Sequence, residues 1–290
     1  MPCAADFNCE FPDATSVGLL PVRNHDPADI RADFLTYSSG TVRALDVKTR
    51  AVPYAGDAYI PRCPWRSFQS SLLSGLVVTS DSDAMPRCGI ARFDARLIKR
   101  LQSVLELPGG GFNGTSQSQG HFLPRPAYRD LADYVCGRFN AVEPPIEHTG
   151  LWDVPGLETI TVNPKVGKFM GMHLDTWEGL TYEDRDKART RICLNLGPVN
   201  RSFLFVPLTL RSMARAIFQA GGARQVPRPH EVTPAFFAMF PDFPVFKLTL
   251  EPGDAYIADT DNLIHDASSA DVSEPAFNYT LRGCFEFHRS

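Results

Sequence analysis

The chain has no apolar run approaching the roughly 18 residues needed to span a bilayer as a helix. It has no block of basic residues either. Its 33 acidic side chains outnumber 29 basic ones, for a formal charge of −4, which argues against general nucleic-acid binding. Lysine is scarce, six against 23 arginines. The seven cysteines, at positions 3, 9, 63, 88, 136, 193 and 284, form no Cys-x-x-Cys pair and show no zinc spacing. An odd number without such spacing reads as reduced thiols, mostly packed as small hydrophobes. Met1-Pro2-Cys3-Ala4-Ala5-Asp6 offers neither a basic n-region nor an apolar h-region, so no signal peptide and a cytoplasmic location are expected. No Ser/Gly linker, charge run or repeat divides the 290 residues, which predicts one domain. The glycine-rich stretch Gly109–Gly120 lacks the Gly-Lys-Ser/Thr end of a phosphate-binding loop, and no Gly-x-Ser-x-Gly elbow supports serine hydrolase chemistry.

What is present is an ordinary globular composition, 43% hydrophobic and 21% charged. The many arginines and the 24 prolines suit a GC-rich genome and point to bacterial or fungal secondary metabolism. The first 90 residues are rich in breakers, with short β-like pieces at Val42–Val47 and Leu76–Thr79. Leu97, Ile98, Leu101, Val104 and Leu105 predict a helix over Asp94–Glu106 that Pro108-Gly109 stops. A second helix is expected over Ala127–Phe139, with Pro126 in its first turn.

From about residue 155 the pattern turns to strands: Glu158–Asn163, Gly167–Asp175, Arg191–Leu196, Ser202–Val206, Val245–Leu250, Asp254–Asp259 and Phe277–Phe287. An insertion over Pro207–Pro244 holds a helix at Arg211–Ala220 capped by Thr209, and a shorter turn at Pro234–Phe240 capped by Thr233. Helices first and many short strands later, without a βαβ rhythm, predict a mainly β fold with helical support. The expected core is an antiparallel jelly-roll, or double-stranded β-helix, over 151–290, with a mixed, helical support over 1–150.

Three segments carry chemistry. In Lys168–Asp175, strand alternation puts His173 and Asp175 on one face, an imidazole and a carboxylate offered together as metal ligands. Pro252-Gly253-Asp254 is a turn opening an apolar strand, and a second turn, Thr260-Asp261-Asn262, leads to His265. In Phe277–Phe287 one face reads Phe277, Tyr279, Leu281, and the other Asn278, Thr280, Arg282. An arginine facing a barrel interior needs an anion to offset its desolvation; a solvated face with Glu286 pairing across strands would need none. Trp177 and Glu178 follow the metal segment, where substrate would enter; a tryptophan there equally suits packing. Arg189 and Arg191 precede an inner strand and offer an anionic substrate group a partner or a surface ion pair. His121, His148, His230 and His288 have no partner spacing.

Together, H-x-D, a histidine 92 residues later and an arginine 17 residues beyond that resemble the iron(II)- and 2-oxoglutarate-dependent oxygenase superfamily. The likeness covers roughly Leu157–His288 and includes the Pro-Gly-Asp turn and the Arg-x-Cys-Leu-Asn-Leu strand. It implies that His173, Asp175 and His265 are the catalytic metal ligands, holding Fe(II) and leaving three positions for 2-oxoglutarate and O2. It also implies that Arg282 grips the distal carboxylate of 2-oxoglutarate, with Thr280 beside it. Halogenases of the superfamily have Gly or Ala where Asp175 stands, so hydroxylation of a small-molecule substrate is the expected reaction. Desaturation, cyclisation and epimerisation use the same ligands, and a non-redox, cupin-like metal protein is the alternative from another class. Trp177 and Arg191 are the candidate substrate residues. Gly109–Gly120 is a candidate lid, and with Pro207–Pro244 it is expected to border the barrel mouth. No nucleic-acid or membrane partner is expected, and the oligomeric state is left open.

Overall fold

In the computed structural model, the described residues are 22–24, 34–47, 53–79, 88–105, 121–141, 143–182, 184–221 and 227–285. The fold is mainly β with helices on its flanks. A seven-stranded sheet runs, in spatial order, Val77–Thr79, Val22–Asn24, Cys88–Arg92, Asp254–Ala258, Thr190–Asn195, Ala276–Gly283, Ile146–Asp153. Only Val22–Asn24 pairs in parallel, with both its neighbours; the remaining pairs are antiparallel. A five-stranded antiparallel sheet runs His265–Ser268, Arg201–Phe205, Val245–Leu250, Leu35–Ser38, Arg66–Ser67. From Thr190 on, successive strands pass between the two sheets, except that Arg201–Phe205 and Val245–Leu250 are neighbours in the smaller one.

The alternation along each strand explains the layering. Ile192, Leu194, Ile257, Phe277, Tyr279 and Leu281 pack on one face of the large sheet against Leu97, Leu101, Leu131, Val135 and Phe139 of helices Ala95–Val104 and Arg125–Phe139. Their neighbours Arg191, Cys193, Tyr256, Asn278 and Thr280 point the other way, into a cavity between the sheets. There Tyr256 stacks on Phe203 of the small sheet, ring centroids 3.9 Å apart. The first helix begins where the Asp94 side chain accepts hydrogen bonds from the backbone N–H groups of Arg96 and Leu97, at 2.9 and 3.0 Å. The second ends at Asn140, which takes the left-handed conformation at φ 46°.

Several expectations shift. The first hundred residues are more than helical support, since Val22–Asn24, Leu35–Ser38 and Cys88–Arg92 are strands of the two main sheets. Thr209 caps Leu210–Gln219 as expected, but the turn expected at Pro234–Phe240 belongs to a longer helix, Pro229–Met239. That helix starts earlier because Glu231 reaches back to the N–H of Arg228, 2.8 Å, and Pro229 suits the first turn; Thr233 lies inside it. Of Glu158–Asn163 only Val162–Asn163 is strand, and of Gly167–Asp175 only Lys168–Phe169. Gly109–Gly120, Glu286 and His288 lie outside the described residues. No helix among the described residues is long and apolar enough to cross a membrane.

Candidate metal centre

His173 does not sit in a regular strand. Gly171, two residues before it, has φ 69°, and a Cβ there would lie 2.4 Å from the Tyr59 carbonyl oxygen. Only glycine allows this close approach and turn together. The bend breaks the ladder and re-forms it for one residue: the His173 N–H donates to the His265 carbonyl, 2.9 Å, and the His265 N–H to that of His173, 2.7 Å. Asp175 is held by its own N–H on the Thr260 carbonyl, 3.2 Å. The same-face relation inferred for His173 and Asp175 is therefore met, by these pairings with the residue 260–265 segment rather than by an unbroken pleat.

His173, Asp175 and His265 converge, each with a ligand atom within 4.8 Å of the others. His173 Nε2 is 3.8 Å from Asp175 Oδ1, and His265 Nε2 is 3.6 Å from Asp175 Oδ2. All three are buried, at 7%, 8% and 2% exposure. Each Nδ1 faces a backbone carbonyl, His173 that of Gly171 at 2.9 Å and His265 that of Leu263 at 3.0 Å. A carbonyl only accepts, so each Nδ1 carries the proton and each Nε2 lone pair faces the centre. His265 Nε2 and Asp175 Oδ2 are both buried. Asp175 Oδ2 has the Arg191 guanidinium beside it, whereas His265 Nε2 makes no hydrogen bond; a buried acceptor without a donor is costly, and a cation between the two would satisfy it. Two imidazoles and one carboxylate are a donor set that suits Fe(II) and leaves coordination positions open.

The electrostatics agree with this arrangement. Burial alone would raise the Asp175 carboxyl, but Arg191, His265 and His173 outweigh it and hold the group well below the usual carboxylate range. Arg191 Nη2 lies 2.9 Å from Asp175 Oδ2 as an ion pair. Burial pushes His265 down to about 4, so it is neutral near pH 7, as a ligand must be. Burial also opposes charge on His173, where Asp266, 3.5 Å from Nδ1, more than compensates.

The cavity beside the triad is about 600 Å³. Thr280 lines it, as does Trp177, which is half exposed and sits 4.7 Å from the His148 ring, edge to face. Arg282, expected to face this cavity with Thr280, does not line it. Its Nη2 pairs with Asp261 Oδ2 at 2.8 Å and with Glu178 Oε1 at 3.4 Å, and the guanidinium lies 5.7 Å from the Trp177 ring centroid. The reason is register: Arg282 sits opposite Arg191, at the end of its strand beside the triad, where Asp261 and Glu178 offer carboxylates.

One cavity residue, Arg201, escaped sequence reading. Arg201 is 4% exposed and lines the cavity; its Nε donates to Asp153 Oδ2 at 3.0 Å and its Nη1 to the Cys193 sulfur at 3.0 Å. Asn278 completes this floor by donating to Asp153 Oδ1, 2.8 Å. The signal was there: Arg201, Phe203 and Phe205 alternate, so the arginine shares the inward face of two core aromatics. Asp266 carried no spacing signal. Its Oδ1 accepts from the Thr161 hydroxyl at 2.8 Å and from the backbone N–H groups of Ile160 and Thr161 at 3.3 and 3.2 Å, tying the segment before the metal site to the His265 strand.

No family model and no curated protein matches the chain. Solved structures that resemble it include the Kdo hydroxylase KdoO, a non-heme Fe(II) alphaketoglutarate dependent dioxygenase, in complex with cobalt(II). It is 12% identical, with 68% of this chain and 79% of that chain covered at a TM-score of 0.35. Another is HygX from Streptomyces hygroscopicus with nickel and 2-oxoglutarate bound, at 14% identity, 68% and 82% coverage and a TM-score of 0.34. Both overlaps are loose.

Proposed function

We propose that this protein is an iron(II)- and 2-oxoglutarate-dependent oxygenase, a single domain whose core is a double-stranded β-helix, and that it hydroxylates a small molecule. The observation that carries this reading is the convergence of His173, Asp175 and His265, with the His265 Nε2 acceptor buried and without a hydrogen bond, in a cavity that Arg191 and the buried Arg201 also line. The strand order supports the core: Ile146–Asp153, Ala276–Gly283, Thr190–Asn195, Asp254–Ala258 are neighbours in one sheet, and His173, His265–Ser268, Arg201–Phe205, Val245–Leu250 in the other. In this reading His173, Asp175 and His265 hold Fe(II). Bound iron with O2 and 2-oxoglutarate supplies the oxidising power, with succinate and CO2 as coproducts.

The chain's own residues do the positioning. Arg191 keeps Asp175 ionised and occupies one side of its carboxylate. We assign the distal carboxylate of 2-oxoglutarate to Arg201, with Thr280 and Asn278 beside it, rather than to Arg282, which is already engaged by two carboxylates. A guanidinium presents a fixed fork of donors to a carboxylate, and among the described residues Arg201 spends only Nε and Nη1. Asp175, where halogenases have Gly or Ala, favours hydroxylation. Anaerobic titration of the metal-free protein with iron(II) and then 2-oxoglutarate tests the reading. A visible charge-transfer band that needs both additions supports it; metal binding with no band on adding 2-oxoglutarate would overturn it in favour of a metal protein without this chemistry.

A further inference from the structure

A second groove opens beside the metal cavity. It encloses about 1010 Å³, and Thr176, the residue after Asp175, lines both spaces. Its walls come from the segment after Asp175, helix Leu210–Gln219 and the start of helix Pro229–Met239. Four arginines and a histidine line it, Arg185, Arg211, Arg215, Arg228 and His230, and no Asp or Glu does among the described residues. In a chain of net charge −4 such a one-sign lining is a local focus of positive potential.

Their partners show which charges remain for a ligand. Arg228 is paired with Glu231 at 2.5 Å. Arg211 uses Nη2 on the Tyr182 carbonyl, 3.0 Å, which orients its guanidinium along the groove wall. Arg215 makes no ion pair among the described residues. Arg185 is 3% exposed, and forms the groove's inner wall: Nε donates to the Leu180 carbonyl at 3.1 Å and Nη1 to the carbonyls of Asp175, at 3.1 Å, and Asp261. Its Nη2 has no hydrogen bond among the described residues. Asp261 Oδ1, 3.8 Å from Nη1, already balances part of this charge, and Nη2 is left to meet an anion beside Arg211 and Arg215 in a wall of like charge. Apolar surface from Phe218, Ala214 and Leu180 lies alongside.

We propose that this groove holds the anionic end of the oxidation substrate, a phosphate or carboxylate seated on Arg185, Arg211 and Arg215, while an apolar body reaches past Thr176 toward the metal. This rests on the oxygenase reading and narrows its substrate class to elongated molecules with an anionic group remote from the oxidised carbon. Arg185 also explains how the groove is tied to the centre, because the same guanidinium holds the Asp175 and Asp261 carbonyls.

The test uses 1-naphthyl phosphate, 1-naphthoate and 1-naphthol titrated calorimetrically into the full chain. At least one anionic probe should bind the wild type more tightly than naphthol, with an affinity that falls as salt rises. Arg211→Gln/Arg215→Gln, both at exposed positions that leave the core intact, should bind that probe at least about tenfold more weakly. Equal binding of naphthol and both anions, no binding of either anion, or an unchanged affinity in the double variant would each overturn the proposal. Formation of the iron–2-oxoglutarate band in the wild type is read separately. A wild type without the band that still binds the anion through Arg211 and Arg215 keeps the groove and loses the oxygenase reading. A wild type with the band and an affinity that the double variant leaves unchanged does the reverse.

Discussion

His173 and His265 exchange two backbone hydrogen bonds, 2.9 and 2.7 Å long, across 92 residues of sequence. This isolated bridge sets the two imidazoles 4.7 Å apart, ring centroid to centroid. The centre is preorganised by backbone, so the side chains need only rotamer choice to present Nε2.

Removing either imidazole should therefore cost metal binding and leave the fold. His173→Ala and His265→Ala are expected to lose the iron–2-oxoglutarate band while keeping the wild-type far-ultraviolet circular dichroism. Iron(II) at about 100 times its dissociation constant should stabilise the wild type by about 2.7 kcal/mol, and neither variant. A rise in melting temperature with iron(II) in both variants would place the ion elsewhere.

Arg201 and Arg282 make opposite predictions for the cosubstrate. Arg201→Ala leaves the Asp153 carboxylate buried without its guanidinium, so it is paired with Asp153→Asn to keep the floor neutral. The double variant should weaken 2-oxoglutarate binding by roughly ten- to a hundredfold, the worth of a charged hydrogen bond of about 1.5–3 kcal/mol, with Asp153→Asn alone as its control. Arg282→Ala should change that affinity much less. The reverse ranking, measured by titrating the visible band, would return the anchor to Arg282.

Arg282 should matter more to stability. It neutralises Asp261, which is 1% exposed and which burial otherwise pushes toward the protonated form. Arg185 remains 3.8 Å from Asp261 Oδ1 in the variant, so the loss is partial. Arg282→Ala is expected to cost about 1–3 kcal/mol in urea unfolding. A midpoint unchanged from wild type would mean that Arg185 alone satisfies Asp261.

Gly171→Ala tests the bend before His173. The new methyl would meet the Tyr59 backbone oxygen, and φ of 69° is strained for alanine. Relieving the clash moves either strand segment, so the cost should be at least about 1–3 kcal/mol, accompanied by weaker iron(II) binding because His173 moves with the turn. A variant with wild-type stability and iron affinity would show that the turn is not what positions His173.

Sequence alone went a long way where chemistry is written in spacing and alternation. Period-2 runs marked the strands Thr190–Asn195, Val245–Leu250, Asp254–Ala258 and Ala276–Gly283 to within a residue or two, except that Ala276–Gly283 was extended past its end. The faces of Ala276–Gly283 followed too, since a pleat leaves no choice once Phe277, Tyr279 and Leu281 are buried against helices. His173, Asp175 and His265 were legible as a set through the resemblance that H-x-D, a distant histidine and a later arginine carry together. Tertiary structure decided what depends on register and on partners distant in sequence. Whether Arg282 faces an anion or a carboxylate of its own chain depends on Asp261 and Glu178 arriving at its end of the strand. Arg201 became a cavity residue only when the Arg201–Phe205 strand was laid beside His265–Ser268. The basic groove likewise joins Arg185 to Arg211 and Arg215 across a loop and a helix. Periodicity reports which way a side chain points from its own strand; only the packing of strands and helices determines what it points at.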